Sequence, residues 1–424
     1  MSSSTPSDSP AAETGRWGEL TALLAAQAVA WTGTRLAGIA VPWFVLTTTG
    51  SAVRTGAVVF AQMAPYVISQ AVAGPVIDRV GPRRISLAGD LVATVAIGLI
   101  PVLYLGDLLA YPVLLALLAV VGAAEGPANA ARGVFVPSVT ERAGIPLERA
   151  TGLVGTVERT AAVVGPAVGG VVVAAWGGAT SLVITAALSL ASALIIWKSM
   201  PSQPAVPASK GNGYLDELRE GARFLMRERL LRSIMGMVAV TNLIDSAAFS
   251  VLLPVWAAES GRGPAVIGLL ASVMSGASIG SSLLSAAYGH RFPRRLTYVL
   301  GFIIGGPPRL AILAVDTSFA AVVAVYAVAG FANGVLNPII GAVQFERIPA
   351  QLLGRVRTLG GSLAWSGIPF GGVIAGAMVA TIGLSPALLI MALAYLVTTT
   401  LPGLLPEWAE MNRDPAGRAQ RESR

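Results

Sequence analysis

The segment Gly74-Pro-Val-Ile-Asp-Arg-Val-Gly-Pro-Arg-Arg84 begins at the end of one long apolar run, 53–77, and is followed directly by another, 85–105. Each run is long enough to cross a bilayer as a helix, which needs about 20 mostly apolar residues. The charged residues between them predict a short polar turn at a membrane surface. Long apolar runs joined by polar connections continue through the rest of the chain.

Apolar runs of this length recur from end to end. Within these runs, apolar and polar residues do not alternate with the two-residue period of a membrane barrel. Helices satisfy every backbone hydrogen-bonding group within the segment, as the hydrocarbon core requires. The sequence therefore predicts an all-α integral membrane protein with twelve spans. In order, spans 1 to 12 are 18–47, 53–77, 85–105, 111–134, 151–175, 179–198, 232–258, 264–287, 297–315, 318–341, 357–380 and 384–405.

The composition agrees with a membrane protein. Apolar residues make up 54% of the chain and charged residues only 12%, about half of the charged share in a soluble domain. There is no cysteine and a single histidine, His290, so thiolate chemistry and an ordinary zinc site are excluded. We expect no cofactor, no metal and no enzymatic activity, because no HExxH or Walker-type motif and no His/Cys constellation is present.

The basic residues predict the orientation. The even-numbered connections and both tails contain 23 Lys and Arg residues, whereas the odd-numbered connections contain only Arg54 and Arg262. Basic loops stay on the cytoplasmic side, so both termini are expected in the cytoplasm of a plasma-membrane protein. The net charge of +7 is explained by this asymmetry and needs no nucleic-acid partner.

The predicted organisation has five parts. The first apolar run is too long for a cleavable signal peptide, and the segment after residue 213 has apolar residues at helical spacing, which suits an amphipathic helix on the membrane surface or a solvated linker helix. The parts are a disordered cytoplasmic tail (1–16), an N-terminal six-helix bundle (17–199), a cytoplasmic linker with an amphipathic helix (200–231), a C-terminal six-helix bundle (232–405) and a cytoplasmic tail (406–424).

The two halves resemble each other. Pro42-Trp43 in span 1 matches Pro254-Val-Trp256 in span 7, and Gly169-Gly170 in span 5 matches Gly371-Gly372 in span 11. Six spans per half keep the halves parallel, which is one of the repeat patterns of secondary transporters. The binding site of such proteins lies near the middle of the membrane, between the repeats.

Several motifs resemble those of the major facilitator superfamily. The 74–84 segment is similar to its signature loop, and Tyr288-Gly-His-Arg-Phe-Pro-Arg-Arg295 is similar to a degenerate second copy. Gly165-Pro-Ala-Val-Gly-Gly170 resembles the span-5 motif of the exporters, and the stretches 131–150 and 218–225 resemble the macrolide-efflux and siderophore-exporter branch. Span 4 departs from the drug/proton antiporter pattern, because Gly122 stands where that pattern has an Arg.

The resemblance implies a conformational latch around the signature loop. In the family, a carboxylate at the position of Asp78 faces the start of span 11, near Thr358 to Gly361, where exposed N–H groups favour an anion. Gly74 and Gly81 are interpreted as close-packing and turn positions. The alternative is a simple loop cap with anchoring arginines. The predicted latch residues are Gly74, Asp78, Arg79, Gly81, Arg83, Arg84, Asp90 and Arg132.

Charges inside spans are the strongest functional indication, because each is costly if it faces lipid. The family resemblance implies that spans 1, 4, 7 and 10 line the cavity, and this selects Arg35, Glu125, Asp245, Asn333 and Asn337. We expect Glu125 or Asp245 to take up the coupling proton, with Arg35 as a partner that substrate displaces. The alternative is a structural ion pair. Arg309 follows Gly305-Gly-Pro-Pro308, where the helix must break or kink.

Two further sets of residues complete the sequence predictions. Gly165, Pro166, Gly169 and Gly170 are expected to bend span 5 and pack it tightly against span 8 or span 1. Aromatic residues such as Tyr66 and Phe249 either line an apolar cavity or face lipid. Trp17, Trp43, Trp176 and Trp408 lie at span ends and are expected to be interfacial anchors.

These observations predict a secondary active transporter. It would export a small amphipathic organic compound, a drug or natural product, by proton antiport and alternating access. The alternative is an uptake symporter or uniporter for a metabolite. The expected partners are the substrate, protons and the lipid bilayer, with no nucleic acid, and the protein is expected to be a monomer.

Overall fold

A computed structural model describes residues 10–201, 214–288, 293–349 and 352–412 of the chain. Within these ranges all regular structure is helical and no strand is present. The predictions for residues 1–9, for the linker 202–213, for His290 and its neighbours, and for the tail from 413 lie outside the described residues.

The first part of the chain forms six helices. They are α1 Pro10–Thr49, α2 Ala52–Ala71, α3 Ala73–Val80, α4 Pro82–Leu105, α5 Tyr111–Ala143 and α6 Leu147–Ser199.

A linker helix and ten further helices follow. They are α7 Tyr214–Arg227, α8 Arg229–Ala247, α9 Leu253–Glu259, α10 Ala265–Tyr288, α11 Arg294–Gly305, α12 Pro307–Ala311, α13 Phe319–Asn333, α14 Leu336–Arg347, α15 Leu353–Trp365, α16 Ile368–Ile382 and α17 Leu384–Leu404. A π-helical turn, Ala248–Leu252, joins α8 to α9, and 3₁₀ turns form at Ile312–Ala314 and Pro406–Asn412.

The lengths of these helices agree with twelve crossings. Ten helical segments of the described chain are long and apolar enough to span a membrane, and the bent pair Ala52–Ala71 and Ala73–Val80 makes an eleventh. Helix α6 is about 80 Å long at 1.5 Å per residue, far more than a bilayer core of about 30 Å. Gly177, with φ 78° and ψ 170°, is non-helical inside it and separates spans 5 and 6.

The chain divides into two compact units. One comprises Met1–Ala40 and Ala64–Ala208, and the other comprises Val41–Met63 and Ser209–Arg424. The division falls close to the predicted boundary between the bundles, except that 41–63, at the end of span 1 and the start of span 2, belongs to the second unit.

The turns repeat between the two halves. Gly383, between spans 11 and 12, has φ 82° and ψ 172°, almost the same backbone conformation as Gly177 between spans 5 and 6. A residue with a Cβ is strained at such a φ, so glycine is required at both places. The repeat seen in the sequence therefore corresponds to equivalent turns in the structure.

Close helix contacts repeat as well. Gly89 in span 3 packs against the backbone of Ala124 in span 4, where an added Cβ would come within 2.6 Å of the carbonyl oxygen. Gly301 in span 9 packs against span 10, where an added Cβ would come within 2.7 Å of Leu336 Cδ2 and 3.1 Å of the Ala332 carbonyl oxygen. In both halves the pair of spans is held close by a glycine, as is usual for helices in membranes.

The linker helix and the end of the chain pack on the second unit. Helix α7 contacts α15 and α8, and its Leu225 is buried. Trp408 is wholly buried, donates from Nε1 to Ser233 Oγ at 2.9 Å and lies 5.6 Å from the ring of Tyr298. The prediction that Trp408 is an interfacial anchor was therefore wrong, because the turn Pro406–Asn412 folds back onto the bundle. By contrast, Trp176 is exposed.

Candidate functional site

A buried ion pair joins three spans of the first unit. Arg132 in span 4 donates from Nη2 to Asp90 Oδ1 in span 3 at 3.0 Å, and Ser192 in span 6 donates to Asp90 Oδ2 at 2.7 Å. Both charged residues are about 5% exposed. An unpaired charge at this depth would be costly, so each needs the other. The sequence prediction placed Asp90 and Arg132 together, and the structure brings them into direct contact.

Glu125 lies two turns before Arg132 on the same helix. Its carboxylate is within electrostatic range of both Arg132 and Asp90. Oε2 is buried, and no described residue makes a hydrogen bond with it. One guanidinium therefore faces two carboxylates. Because Asp90 already has a direct ion pair and a hydroxyl donor, Glu125 is the carboxylate whose buried Oε2 lacks a direct partner among the described residues.

Polar groups from span 2 reach the same region. The hydroxyl of Tyr66 accepts hydrogen bonds from Asn129 at 3.2 Å and from Gln70 at 3.5 Å, and it interacts electrostatically with Glu125. Gly126 allows the approach, because a Cβ there would come within 2.6 Å of the Tyr66 carbonyl oxygen. Tyr66 thus belongs to a polar cluster. Its neighbour Asn129 was not among the predicted site residues.

Arg35 lies on the face of span 1 that meets span 5. Its side chain is exposed, and its Cβ lies 2.8 Å from where a Cβ of Gly165 would be. It is not among the groups that act on Glu125. Gly169 packs against Leu36 in the same contact, at 3.2 Å from the Leu36 Cα to an added Cβ. Of the two partners considered for span 5, the structure shows this contact with span 1.

The other span-5 residues are also internal. Pro166 and Gly170 are buried, and α6 continues through Pro166 without a break. The glycines of this segment therefore serve close packing, and the interruption of the helix comes later, at Gly177.

The signature loop is a tight turn between α3 and α4. Gly81 has φ 93° and lies between the two helices, as expected of a turn position. Asp78, Arg79 and Arg84 are exposed, whereas Arg83 donates to the carbonyl oxygen of Trp197 at the end of span 6.

Gly74, by contrast, has open space around it. Apart from its chain neighbours and the backbone of its own helix, no described atom lies within 4 Å of where its Cβ would be. The described contacts of Asp90 and Arg132 do not include Asp78, so the loop and the buried pair are separate features in this structure.

The second unit contains its own buried ion pair. Arg309 donates from Nη2 to Asp245 Oδ1. The Arg309 side chain is 1% exposed and that of Asp245 is 34% exposed. The Arg309 guanidinium also lies over the rings of Phe249, at 5.5 Å, and Tyr395, at 5.8 Å. Sequence reasoning identified both charges but did not join them.

The local backbone explains how Arg309 reaches this place. Span 9 breaks at Gly306, between α11 and α12, as the Gly-Gly-Pro-Pro sequence predicts. In span 7 the π-helical turn begins at Ala248, three residues after Asp245, and it carries Phe249. Such turns often occur at functional sites. Two irregular helices therefore meet at one ion pair.

The span-10 residues lie in different environments. Asn333 is the last residue of α13, and its side-chain amide donates to the carbonyl oxygen of Gly305 at 3.4 Å. This hydrogen bond reaches the end of α11, at the break in span 9. Asn337 is exposed on α14. Among the described residues, no three His, Cys, Asp or Glu side chains cluster as metal ligands would.

Helices of bilayer-spanning length, arranged as a repeat with paired charges buried in each half, define a polytopic membrane transporter. The chain belongs to the Major Facilitator Superfamily, whose profile matches residues 23–241 and, a second time, 235–423. It is therefore a membrane transport protein rather than an enzyme, and its place is the plasma membrane.

The chain is similar to characterised pumps over most of its length. It is 31% identical over 400 residues to the multidrug efflux pump Tap of Mycobacterium tuberculosis, covering 93% of this chain and 94% of that protein. It is 28% identical over 404 residues to the multidrug efflux pump Tap of Mycolicibacterium fortuitum, covering 93% and 97%.

Solved structures show the same fold. The nucleoside transporter NupG has a TM-score of 0.70 at 16% identity, covering 92% of this chain and 98% of that one. A bacterial homologue of the human lysosomal transporter Spinster, in an inward-facing and unoccupied conformation, has a TM-score of 0.71 at 14% identity, covering 97% and 98%.

Proposed function

We propose that the protein exports a small amphipathic organic compound, a drug or natural product, by proton antiport with alternating access. Export is supported by the similarity to multidrug efflux pumps over nearly the whole of both chains. The likeness to a nucleoside transporter is a likeness of fold, at 16% identity. It gives no support to the alternative of metabolite uptake.

One observation supports proton coupling above the others. Glu125 lies in a cluster that has one guanidinium for two carboxylates, and its buried Oε2 has no partner among the described residues. A buried carboxylate in this position is stable when it binds a proton and unfavourable when it does not. Loading and unloading of a proton at Glu125 would therefore change the free energy of the first unit, which is what coupling requires.

Two variants on the same helix test this role. Glu125→Gln keeps the shape of the side chain and removes the titrating group, whereas Glu141→Gln changes an exposed glutamate of α5. In proteoliposomes with an internal pH-sensitive dye, the wild type and Glu141→Gln should release protons when a transported drug is added, and Glu125→Gln should not. Equal proton fluxes from all three proteins, at equal reconstitution, would refute the role of Glu125.

The direction of transport has its own test. A drug-susceptibility panel in a host that lacks its own pumps should show raised resistance when this gene is expressed. Faster drug accumulation in those cells would favour uptake instead.

The conformational latch remains part of the proposal. Asp78 is exposed at the end of α3 beside the turn at Gly81, so it is free to meet a helix N-terminus when the protein changes state. Asp78→Asn should slow transport without weakening substrate binding. Unchanged transport rates would leave the loop with only the role of a helix cap.

The basic connections support an orientation with both termini in the cytoplasm, and we propose a monomer as the working unit. Fusions of a reporter that is active only in the cytoplasm should give signal at either terminus. Cross-linking in membranes should leave the protein as a single chain.

A further inference from the structure

The ion pair of the second unit leaves part of its guanidinium unused. Arg309 bonds Asp245 through Nη2, while Nε and Nη1 are buried and have no hydrogen-bond acceptor among the described residues. A structural Arg–carboxylate pair usually engages two N–H groups in a bidentate contact. Arg309, whose side chain is only 1% exposed, therefore has N–H donors that lack acceptors.

The surroundings of Arg309 compensate its charge in part. The groups that face it are the carboxylate of Asp245 from span 7 and the hydroxyls of Tyr326 and Tyr395 from spans 10 and 12, and the Tyr395 hydroxyl also has a hydrogen-bonding interaction with the guanidinium. The rings of Phe249 and Tyr395 add cation–π contacts. Asp245 is thus the only carboxylate among the described groups that act on Arg309.

The two members of the pair differ in accessibility. The side chain of Asp245 is 34% exposed, whereas that of Arg309 is 1% exposed. The guanidinium cannot release its proton in a protein, but the carboxylate can accept one. If Asp245 is protonated, Arg309 keeps its charge and loses its counter-charge. Since an uncompensated buried cation is strongly unfavourable, another anion would then be drawn to it.

We propose that Arg309 is the anion-binding group of a subsite for carboxylate-bearing amphiphiles, and that Asp245 occupies this subsite when no substrate is bound. A substrate carboxylate replaces Asp245 at the N–H groups of Arg309 after Asp245 has accepted a proton, and the rings of Phe249 and Tyr395 contact its apolar part. The inference rests on the proposed function, because it names the substrate class that the exporter takes in its second half. The proton on Asp245 moves together with the substrate carboxylate, as it would in the neutral acid, and the proton carried in the opposite direction is the one proposed at Glu125.

The pattern of helix breaks suits such an exchange. Asp245 precedes the π-helical turn Ala248–Leu252, and Arg309 follows the break at Gly306. Irregular segments like these accommodate small backbone shifts more readily than a continuous helix does. The carboxylate can therefore leave the guanidinium without unfolding either span.

Equilibrium binding to the purified, detergent-solubilised full chain tests the inference without a proton gradient. The probes are naphthalene-1-acetate and its neutral amide, which have nearly the same size and differ in charge. Asp245→Asn imitates the protonated carboxyl and leaves Arg309 without a counter-charge. It should bind the carboxylate about tenfold or more tightly than the wild type does, in line with the coupling between close buried charges. The amide should bind both proteins alike.

Two further variants decide the assignment. In Asp245→Asn/Arg309→Met the preference for the carboxylate should disappear. Arg262→Met is the matched control, because Arg262 also lies over two aromatic rings, Trp256 and Phe319, but is exposed. It should bind both probes as the wild type does.

The outcomes separate this inference from the proposed function. Equal binding of acid and amide by Asp245→Asn, in protein that elutes as a single species, would overturn the subsite. So would a carboxylate preference that survives the loss of Arg309. Carboxylate binding as expected, together with no drug export by the wild type, would instead refute the proposed function and leave the subsite intact.

Discussion

Removal of Arg132 gives a quantitative test of the charge state of the first cluster. Arg132→Met keeps the length and apolar volume of the side chain and leaves Asp90 with only the hydroxyl of Ser192, at 2.7 Å. Breaking a buried ion pair by loss of one partner costs about 3–5 kcal/mol. We expect a decrease of that size in the free energy of unfolding, measured by SDS titration in mixed micelles.

The double variant shows which carboxylates are charged. In Asp90→Asn/Arg132→Met, Glu125 is the one charged group of this cluster that remains among the described residues. If Glu125 holds a proton, as proposed, no charge is left and the stability should return to within about 1 kcal/mol of the wild type, since the hydrogen bond with Ser192 can persist. If Glu125 is ionised, the double variant should stay as unstable as Arg132→Met.

The chain contains eight tryptophans, whose fluorescence should report unfolding. A single variant as stable as the wild type would refute the conclusion that the pair compensates buried charge. A double variant that recovers no stability would refute the neutral form of Glu125.

The remaining predictions concern packing. Gly169→Leu should abolish export at normal expression, because even a Cβ comes within 3.2 Å of the Leu36 Cα, and a drug-efflux assay in cells measures this. Trp408→Ala should lower the free energy of unfolding by about 3–5 kcal/mol, because it empties a wholly buried site and leaves Ser233 without its partner. The same SDS titration measures this loss.

Each packing variant has a control in the same chain. Gly152→Leu lies on the same helix as Gly169, and no described atom is within 4 Å of its Cβ position, so export should persist. Trp176→Ala removes a tryptophan that is 61% exposed and should cost much less than Trp408→Ala. If Gly152→Leu also abolished export, the close contact at Gly169 would not be the cause of that loss. If Trp176→Ala lowered the free energy of unfolding as much as Trp408→Ala, the burial of Trp408 would not explain its effect.

Most of the architecture could be predicted from the sequence. Span 9 was expected to break at Gly305-Gly-Pro-Pro308, and it breaks at Gly306 because the prolines cannot donate to the preceding turn. The family motifs at 74–84 and 165–170 led to the superfamily that the profile confirms. These features are local, so they depend on residues close together in the chain.

The candidate site was predictable only in part. The cost of a charge in hydrocarbon, together with the cavity-lining spans that the family resemblance implies, singled out Glu125 and Asp245, and the latch prediction grouped Asp90 with Arg132. It could not identify Arg309 as the partner of Asp245, because 64 residues separate them and two irregular helices bring them together. Nor did the sequence show that the chain around Trp408 folds back onto the bundle.

The sequence by itself determined which segments are long and apolar enough to cross the membrane and where span 9 breaks, because hydrophobic length, proline and glycine act within a single segment. Only the tertiary structure decided which charge meets which, since the rotation and packing of each helix determine the direction of its side chains. In a membrane every buried charge needs a counter-charge, but the identity of that counter-charge depends on how the helices pack.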